Sequence, residues 1–96
     1  MKYQDLEIKD NKTQHALELW VDGQRSFIGY DWQDDVVYLV HTEVPEAQTG
    51  AGIAAALVEK ALTYIEAQDL KIIPACSYVR AFLKRHPEWE RIVAIE

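Results

Sequence analysis

Val36-Val37-Tyr38-Leu39-Val40-His41-Thr42-Glu43-Val44-Pro45-Glu46-Ala47-Gln48-Thr49-Gly50-Ala51-Gly52-Ile53-Ala54-Ala55-Ala56-Leu57-Val58 changes its hydrophobic period in the middle. As far as Val44 the residues are largely β-branched, aromatic or aliphatic. They read as a strand, and the unbroken apolar start predicts one buried on both faces. Pro45 stops it. From Ile53 onward the apolar positions Ile53, Leu57, Val58, Ala61, Leu62 and Ile65 make one stripe of an amphipathic helix. Glu59, Lys60, Thr63 and Glu66 fall on the other face. The helix is expected over residues 50–68, about 28 Å long.

Towards the amino end the pattern is strands and tight turns. Leu6 and Ile8 alternate with polar residues before a turn at Asp10-Asn11-Lys12. Residues 16–21 and 26–32 form two more strands around Asp22-Gly23, a strong hairpin signal, and Asp34-Asp35 turns the chain into the quoted strand. Towards the carboxyl end, residues 70–73 make a short strand stopped by Pro74. Ser77 caps a helix carrying Val79, Phe82 and Leu83, limited by Pro87. Residues 92–95 suit a last short strand. The expected architecture is α/β (α+β). The first four strands form an antiparallel meander, followed by a β-α-β unit whose right-handed crossover makes the fourth and fifth strands parallel, plus a C-terminal helix. One domain covers residues 1–96.

Composition narrows the function. The 96 residues are 49% apolar and 27% charged, which fits a globular domain. Sixteen acidic residues against ten basic leave a net charge of −6. That balance argues against a nucleic-acid partner and mildly favours a cationic one. The acidic balance and the lack of a basic aromatic strand motif also argue against an RNA-binding sheet. A single cysteine excludes an internal disulfide or a cysteine zinc cluster and suits a reducing, cytoplasmic setting. The opening MKYQDLEIKD has no signal-peptide core, and no apolar run is long enough for a membrane span. His15, His41 and His86 sit in separate segments without ligand spacing, so no metal is expected.

Sites in such sheets lie beyond the carboxyl ends of the strands. Here that end holds His41 to Val44, the loop 45–52 and Cys76. Thr49-Gly50-Ala51-Gly52-Ile53-Ala54 leads a strand into a helix, where bare backbone and unpaired N–H groups suit a phosphate. Two glycines alone equally suit a flexible turn. The segment is neither a P-loop nor a Rossmann fingerprint. Cys76 opens the last helix, whose N-terminus favours a thiolate, although a lone cysteine is more often inert. His41 and Glu43 share one strand face and can accept a proton. Tyr78 offers a proton donor or a rim aromatic. Arg80, Lys84 and Arg85 form a small basic group.

His41-Thr42-Glu43-Val44-Pro45 followed by Gly50-Ala51-Gly52-Ile53-Ala54 and Leu57-Val58 resembles the GNAT N-acetyltransferase superfamily. Ile73-Pro74-Ala75-Cys76-Ser77-Tyr78-Val79 and His86-Pro87-Glu88-Trp89 resemble its minimal single-domain, YjdJ-like branch. The resemblance spans nearly the whole chain. It implies a GNAT-like mixed sheet with the fourth and fifth strands splayed, and acetyl-coenzyme A as co-substrate. Thr49, Gly50, Ala51, Gly52, Ile53 and Ala54 would cradle the pyrophosphate, Val44 would pair with the pantetheine arm, and Cys76 would lie by the thioester. The usual Arg or Gln at the motif's first position is Thr49 here, and Ala51 replaces the usual basic residue between the glycines. Cys76, His41 and Glu43 are the candidate catalytic residues. The expected function is transfer of an acetyl group to an amine acceptor: a protein or peptide lysine, a polyamine or a small amine. The runner-up is a coenzyme A-binding or protein-interaction module without turnover. A monomer or weak dimer is expected, the latter through an exposed edge strand.

Overall fold

The computed structural model describes residue 3 and residues 5–94. Five strands, β1 (Lys9–Asn11), β2 (Ala16–Val21), β3 (Gln24–Gln33), β4 (Val36–Glu43) and β5 (Lys71–Pro74), lie in sequential order in one sheet. The first four are antiparallel, and β4 and β5 are parallel. Helix α1 (Ile53–Ala67) makes the crossover, and α2 (Ser77–Arg85) follows β5. The expected α/β architecture is therefore observed.

Each element follows from its residues. Asp22 and Gly23 both take positive φ and close the β2–β3 hairpin. The α1 stripe buries Ile53, Leu57, Val58, Ala61, Leu62 and Ile65. It packs with Leu17, Leu19, Ile28, Val37, Leu39 and Ile72 from the sheet and Val79, Phe82 and Leu83 from α2 in a single apolar cluster. Fully burying one such aliphatic side chain contributes about 1.5–3 kcal/mol.

Several details depart from expectation. Strand β1 starts at Lys9, so Asp10 and Asn11 are strand and the turn falls after them. Pairing with Leu17 and Ala16 decides this, and Leu6 and Ile8 pack on the core without strand geometry. α1 begins at Ile53 because Gly52 is left-handed. Cys76, not Ser77, occupies the N-cap of α2. The expected last strand reduces to one parallel bridge, Ile72 to Val93; Ile95 lies outside the described residues.

The largest correction concerns β4. It is buried on one face only. Val37 and Leu39 point into the core, whereas Val40 is 44% exposed and His41 and Glu43 face solvent. The pairing explains this. Tyr30 is opposite Leu39 but Gly29 is opposite His41, so Val40 is an extra residue in β4. A bulge of one residue reverses the facing of every side chain beyond it. Uninterrupted alternation would put His41 and Glu43 on the core side with Leu39. The bulge sends Thr42 inward, opposite buried Ile28, and turns His41 and Glu43 outward.

Two polar clusters fix the strand layer. Asp10 accepts from Tyr30 at 2.6 Å and from Tyr64 at 2.9 Å, tying β1 to β3 and α1. Burial and that carboxylate raise both phenols above the usual tyrosine range. Glu18, 6% exposed, accepts from Asn11, Trp20 and Arg25. Burial alone raises its pKa, but these three donors, with Arg25's charge, outweigh it and hold the carboxyl below 4.5. The folded pKa is depressed, so this stabilisation is complete above the unfolded carboxylate pKa and lost as pH falls through the folded value. Glu18→Gln is expected to lower stability at neutral pH and to flatten the acid side of the stability curve. Urea unfolding at stepped pH checks this, and an unchanged acid slope refutes it.

Candidate functional site

The site begins where β4 and β5 part. Their last paired residues are Leu39 and Pro74, and the Cys76 N–H then donates to the Leu39 carbonyl at 2.8 Å. Beyond that bond β4 continues to Glu43 along β3, while the other chain turns into α2. The edge of β4 from His41 onward therefore borders a gap between diverging elements.

At the far end of this edge, Pro45 leads into a short 3-10 turn, Glu46–Gln48, and then the glycines. Gly50 and Gly52 have φ of +83° and +82°, with open space where a Cβ would stand. Left-handed geometry strains any other residue type there and leaves bare backbone facing the opening. The first helical bond of α1 runs from the Ala56 N–H to the Gly52 carbonyl at 3.1 Å. The N–H groups of Ile53, Ala54 and Ala55 precede it and have no intrahelical acceptor. Together with the helix dipole they favour an anion. The loop is held from behind: Tyr3 Oη donates to the Ala51 carbonyl at 3.0 Å, and Gln48 Nε2 to the Val21 carbonyl at 2.9 Å.

The structure brings Val44, Thr49, Gly50, Gly52, Ile53 and Ala54 to one cleft, closed on the other side by Tyr78 of α2. Of the expected cofactor positions only Ala51 does not line it. Ile53 is 2% exposed and offers only its backbone. Among the described residues, no lysine or arginine lines the cleft. Gln48 also lines the cleft, but its Nε2 donates to the Val21 carbonyl, which turns it towards the fold. The Thr49 hydroxyl donates to the Glu46 carbonyl. Among the described residues, backbone N–H groups are the main donors a phosphate would meet here. The basic group on α2 does not converge on the cleft: Arg80 donates to the carbonyls of Pro74 and Ala75.

The expected catalytic residues divide between the two faces of β4. On the core face, Thr42 Oγ1 and Cys76 Sγ are 3.3 Å apart. Burial pushes the Cys76 thiol up, but Thr42 and the N–H groups of Val79, Tyr78 and Thr42 favour the thiolate more strongly, leaving the pKa below that of an ordinary cysteine. On the open face, His41 Nε2 lies 3.8 Å from Glu43 Oε2, and both side chains are largely exposed. The His41 ring packs tilted against Phe27, 6.0 Å between centroids. Thr42 is the residue that sequence reasoning missed. Its signal was Gly29, an isolated glycine inside a strand pattern, which marks a bulge in the pairing. Among the described residues no cluster of His, Cys, Asp and Glu is arranged to hold a metal, and no helix is long and apolar enough to cross a membrane.

The Cys76 environment makes a direct prediction. Alkylation of the folded protein with iodoacetamide is expected to rise with pH through a midpoint below that of a free thiol. Thr42→Val should move the midpoint upward by removing a hydrogen bond to the thiolate. Equal midpoints in the two proteins would refute the Thr42 contribution.

A family model described as GCN5-related N-acetyl-transferase matches residues 16–92. The chain is similar to Protein NATD1 of Danio rerio, 32% identical over 94 residues, covering 92% of this chain and 86% of that protein. It is 42% identical over 52 residues to Protein NATD1 of Bos taurus, covering 54% of this chain and 46% of that protein. The chain spans about half the length of the bovine, chicken, mouse and human relatives it matches. A GCN5-like protein of Staphylococcus aureus, solved by NMR, superposes with a TM-score of 0.64 at 21% identity, covering 96% of this chain and 92% of that one. At that identity the likeness is one of fold.

Proposed function

Because the chain belongs to the GCN5-related N-acetyltransferase family, we propose that it transfers an acetyl group from acetyl-coenzyme A to an amine. The observation that carries this reading is the junction of a left-handed glycine loop at the start of α1 with a parted β4–β5 pair ending at Thr42 and Cys76. The residues fit the co-substrate: two positions without side chains, N–H groups lacking acceptors, and an unpaired strand edge between them and the thiol. Bound acetyl-coenzyme A would supply an activated thioester, whose acetyl carbon gains a C–N bond as its C–S bond breaks, the electron pair leaving on sulfur.

The chain's own residues then have distinct tasks. The N–H groups of Gly52, Ile53, Ala54 and Ala55 hold phosphate oxygens, and the backbone of Glu43 and Val44 aligns the extended arm. Cys76, kept towards thiolate by Thr42, stands at the core side of the reacting end. As thiolate it attacks the acetyl carbon as the thioester C–S bond breaks, and then yields the acetyl group to the amine. His41 and Glu43, on the open face and in reach of water, take the proton released by the amine. The absence of an arginine at Thr49 makes the phosphate site rely mainly on backbone.

A coenzyme A-binding module without turnover is the second reading, favoured by that one weakened contact. An acetyl-transfer assay over an amine panel separates the two.

Calorimetry with coenzyme A tests the cleft. Gly52→Glu, checked by circular dichroism for folding, is expected to abolish binding. Thr49→Arg is expected to tighten it by about 1 kcal/mol, roughly fivefold, because the added contact is solvent-screened. Undiminished binding in folded Gly52→Glu refutes the placement. Cys76→Ala is expected to bind coenzyme A normally but lose turnover on the order of 100-fold. Unchanged turnover on the true acceptor removes Cys76 from the mechanism.

A further inference from the structure

We propose that Arg80 is a positioning residue for acetyl transfer, fixing Cys76 at the point where β4 and β5 part by gathering the carbonyls around it. The inference rests on the acetyl-transfer reading for its consequence and on a separate set of bonds for its geometry.

Three successive carbonyls, those of Pro74, Ala75 and Cys76, accept from this one residue. Arg80 Nη1 donates to the Pro74 carbonyl at 3.1 Å and to the Ala75 carbonyl at 2.8 Å. The Arg80 backbone N–H donates to the Cys76 carbonyl at 3.1 Å, and that bond starts the ladder of α2. The chain needs these donors where it leaves the sheet. The Ala75 N–H turns back to the Ile73 carbonyl at 3.0 Å, closing a three-residue turn around Pro74 that the fixed φ of proline suits. The Cys76 N–H then reaches the Leu39 carbonyl at 2.8 Å. The Pro74 and Ala75 carbonyls sit where the ladder with β4 ends, and an unanswered carbonyl is costly. One guanidinium nitrogen answers both, with charge-assisted bonds.

The place of Arg80 in its helix supports this task. It is the fourth residue of α2, near the end whose dipole disfavours a cation. It makes no ion pair among the described residues. Its charge is spent on the turn behind it. Lys84, one turn further on, is exposed and has no partner among the described residues.

The turn carries the thiol. Cys76 Sγ lies 3.3 Å from Thr42 Oγ1, and the N–H groups of Val79 and Tyr78 favour its thiolate. A looser turn moves the sulfur away from these donors and from the β4 edge that aligns the thioester. A displacement of about 1 Å is enough to cost on the order of 100-fold in rate. The chemistry stays with Cys76: its thiolate attacks the acetyl carbon as the thioester C–S bond breaks, and the amine then takes the acetyl group. Arg80 acts through the backbone and exchanges no proton.

Three variants of the full chain test this, each checked for folding by circular dichroism. Arg80→Met removes the donors and keeps the apolar stem. It should raise the pH midpoint of Cys76 alkylation by iodoacetamide and lower kcat about tenfold, with the Kd for coenzyme A unchanged. Arg80→Lys should restore both values, because a single nitrogen makes both side-chain bonds. Lys84→Met removes an equal charge one turn away and should change nothing. A wild-type midpoint or a wild-type kcat in folded Arg80→Met overturns the proposal. So does an equal effect in Lys84→Met, a failure of Arg80→Lys to restore either value, or a coenzyme A affinity that falls in step with kcat. If Arg80→Met does not fold, Arg80→Gln takes its place, since its shorter stem reaches one carbonyl at most. An intermediate shift is then expected, and wild-type values overturn the proposal. A raised midpoint in a protein that acetylates no amine overturns the transferase reading and leaves the hold of Arg80 on Cys76 standing.

Discussion

The hydrogen bond from the Cys76 N–H to the Leu39 carbonyl, 2.8 Å long, is the point on which the site depends. Before it, β4 and β5 pair as ordinary parallel strands. After it they diverge, because Pro74 has no N–H to continue the ladder and Cys76 already caps a helix. Parting leaves the β5-side edge of β4 without a strand partner from His41 on, a cost that a sheet normally avoids. An extended ligand with alternating donors and acceptors meets the needs of that edge, and the arm of coenzyme A has that character.

Val40 adds a second constraint. The extra residue turns the end of β4 over, so one strand presents Thr42 to Cys76 on the core side and His41 with Glu43 to solvent. A partly buried thiol needs hydrogen-bond donors to persist as thiolate against the cost of burial, whereas a proton acceptor needs contact with water. Unbroken alternation from Leu39 cannot put Thr42 on the core side and His41 with Glu43 outside. The bulge does so without a further element, which suits a chain of 96 residues.

The remaining structure holds these two features in place. Asp10 joins β1, β3 and α1 through Tyr30 and Tyr64, and Tyr3 and Gln48 brace the glycine loop from behind. The helix that presents its N-terminus to the cleft is thereby anchored at both ends. Gln48 illustrates how position overrides identity: one residue from the motif's first place, it bonds the Val21 carbonyl and so serves the fold.

Much was legible in the residues. The change from period two to period 3.6 across Pro45 determined the order of strands and helix, and Asp22-Gly23 determined the hairpin, since both rest on local geometry. The glycines at 50 and 52 marked the loop for the same reason. Tertiary structure alone decided which way His41, Thr42 and Glu43 face, because a bulge is a relation between two strands and leaves only Gly29 as a trace. It decided that Thr42 is the partner of Cys76, 34 positions away. It also decided that Asp31 stands beside Tyr38 and Trp32 beside Val37 on opposite faces, since cross-strand neighbours are set by register and not by sequence distance.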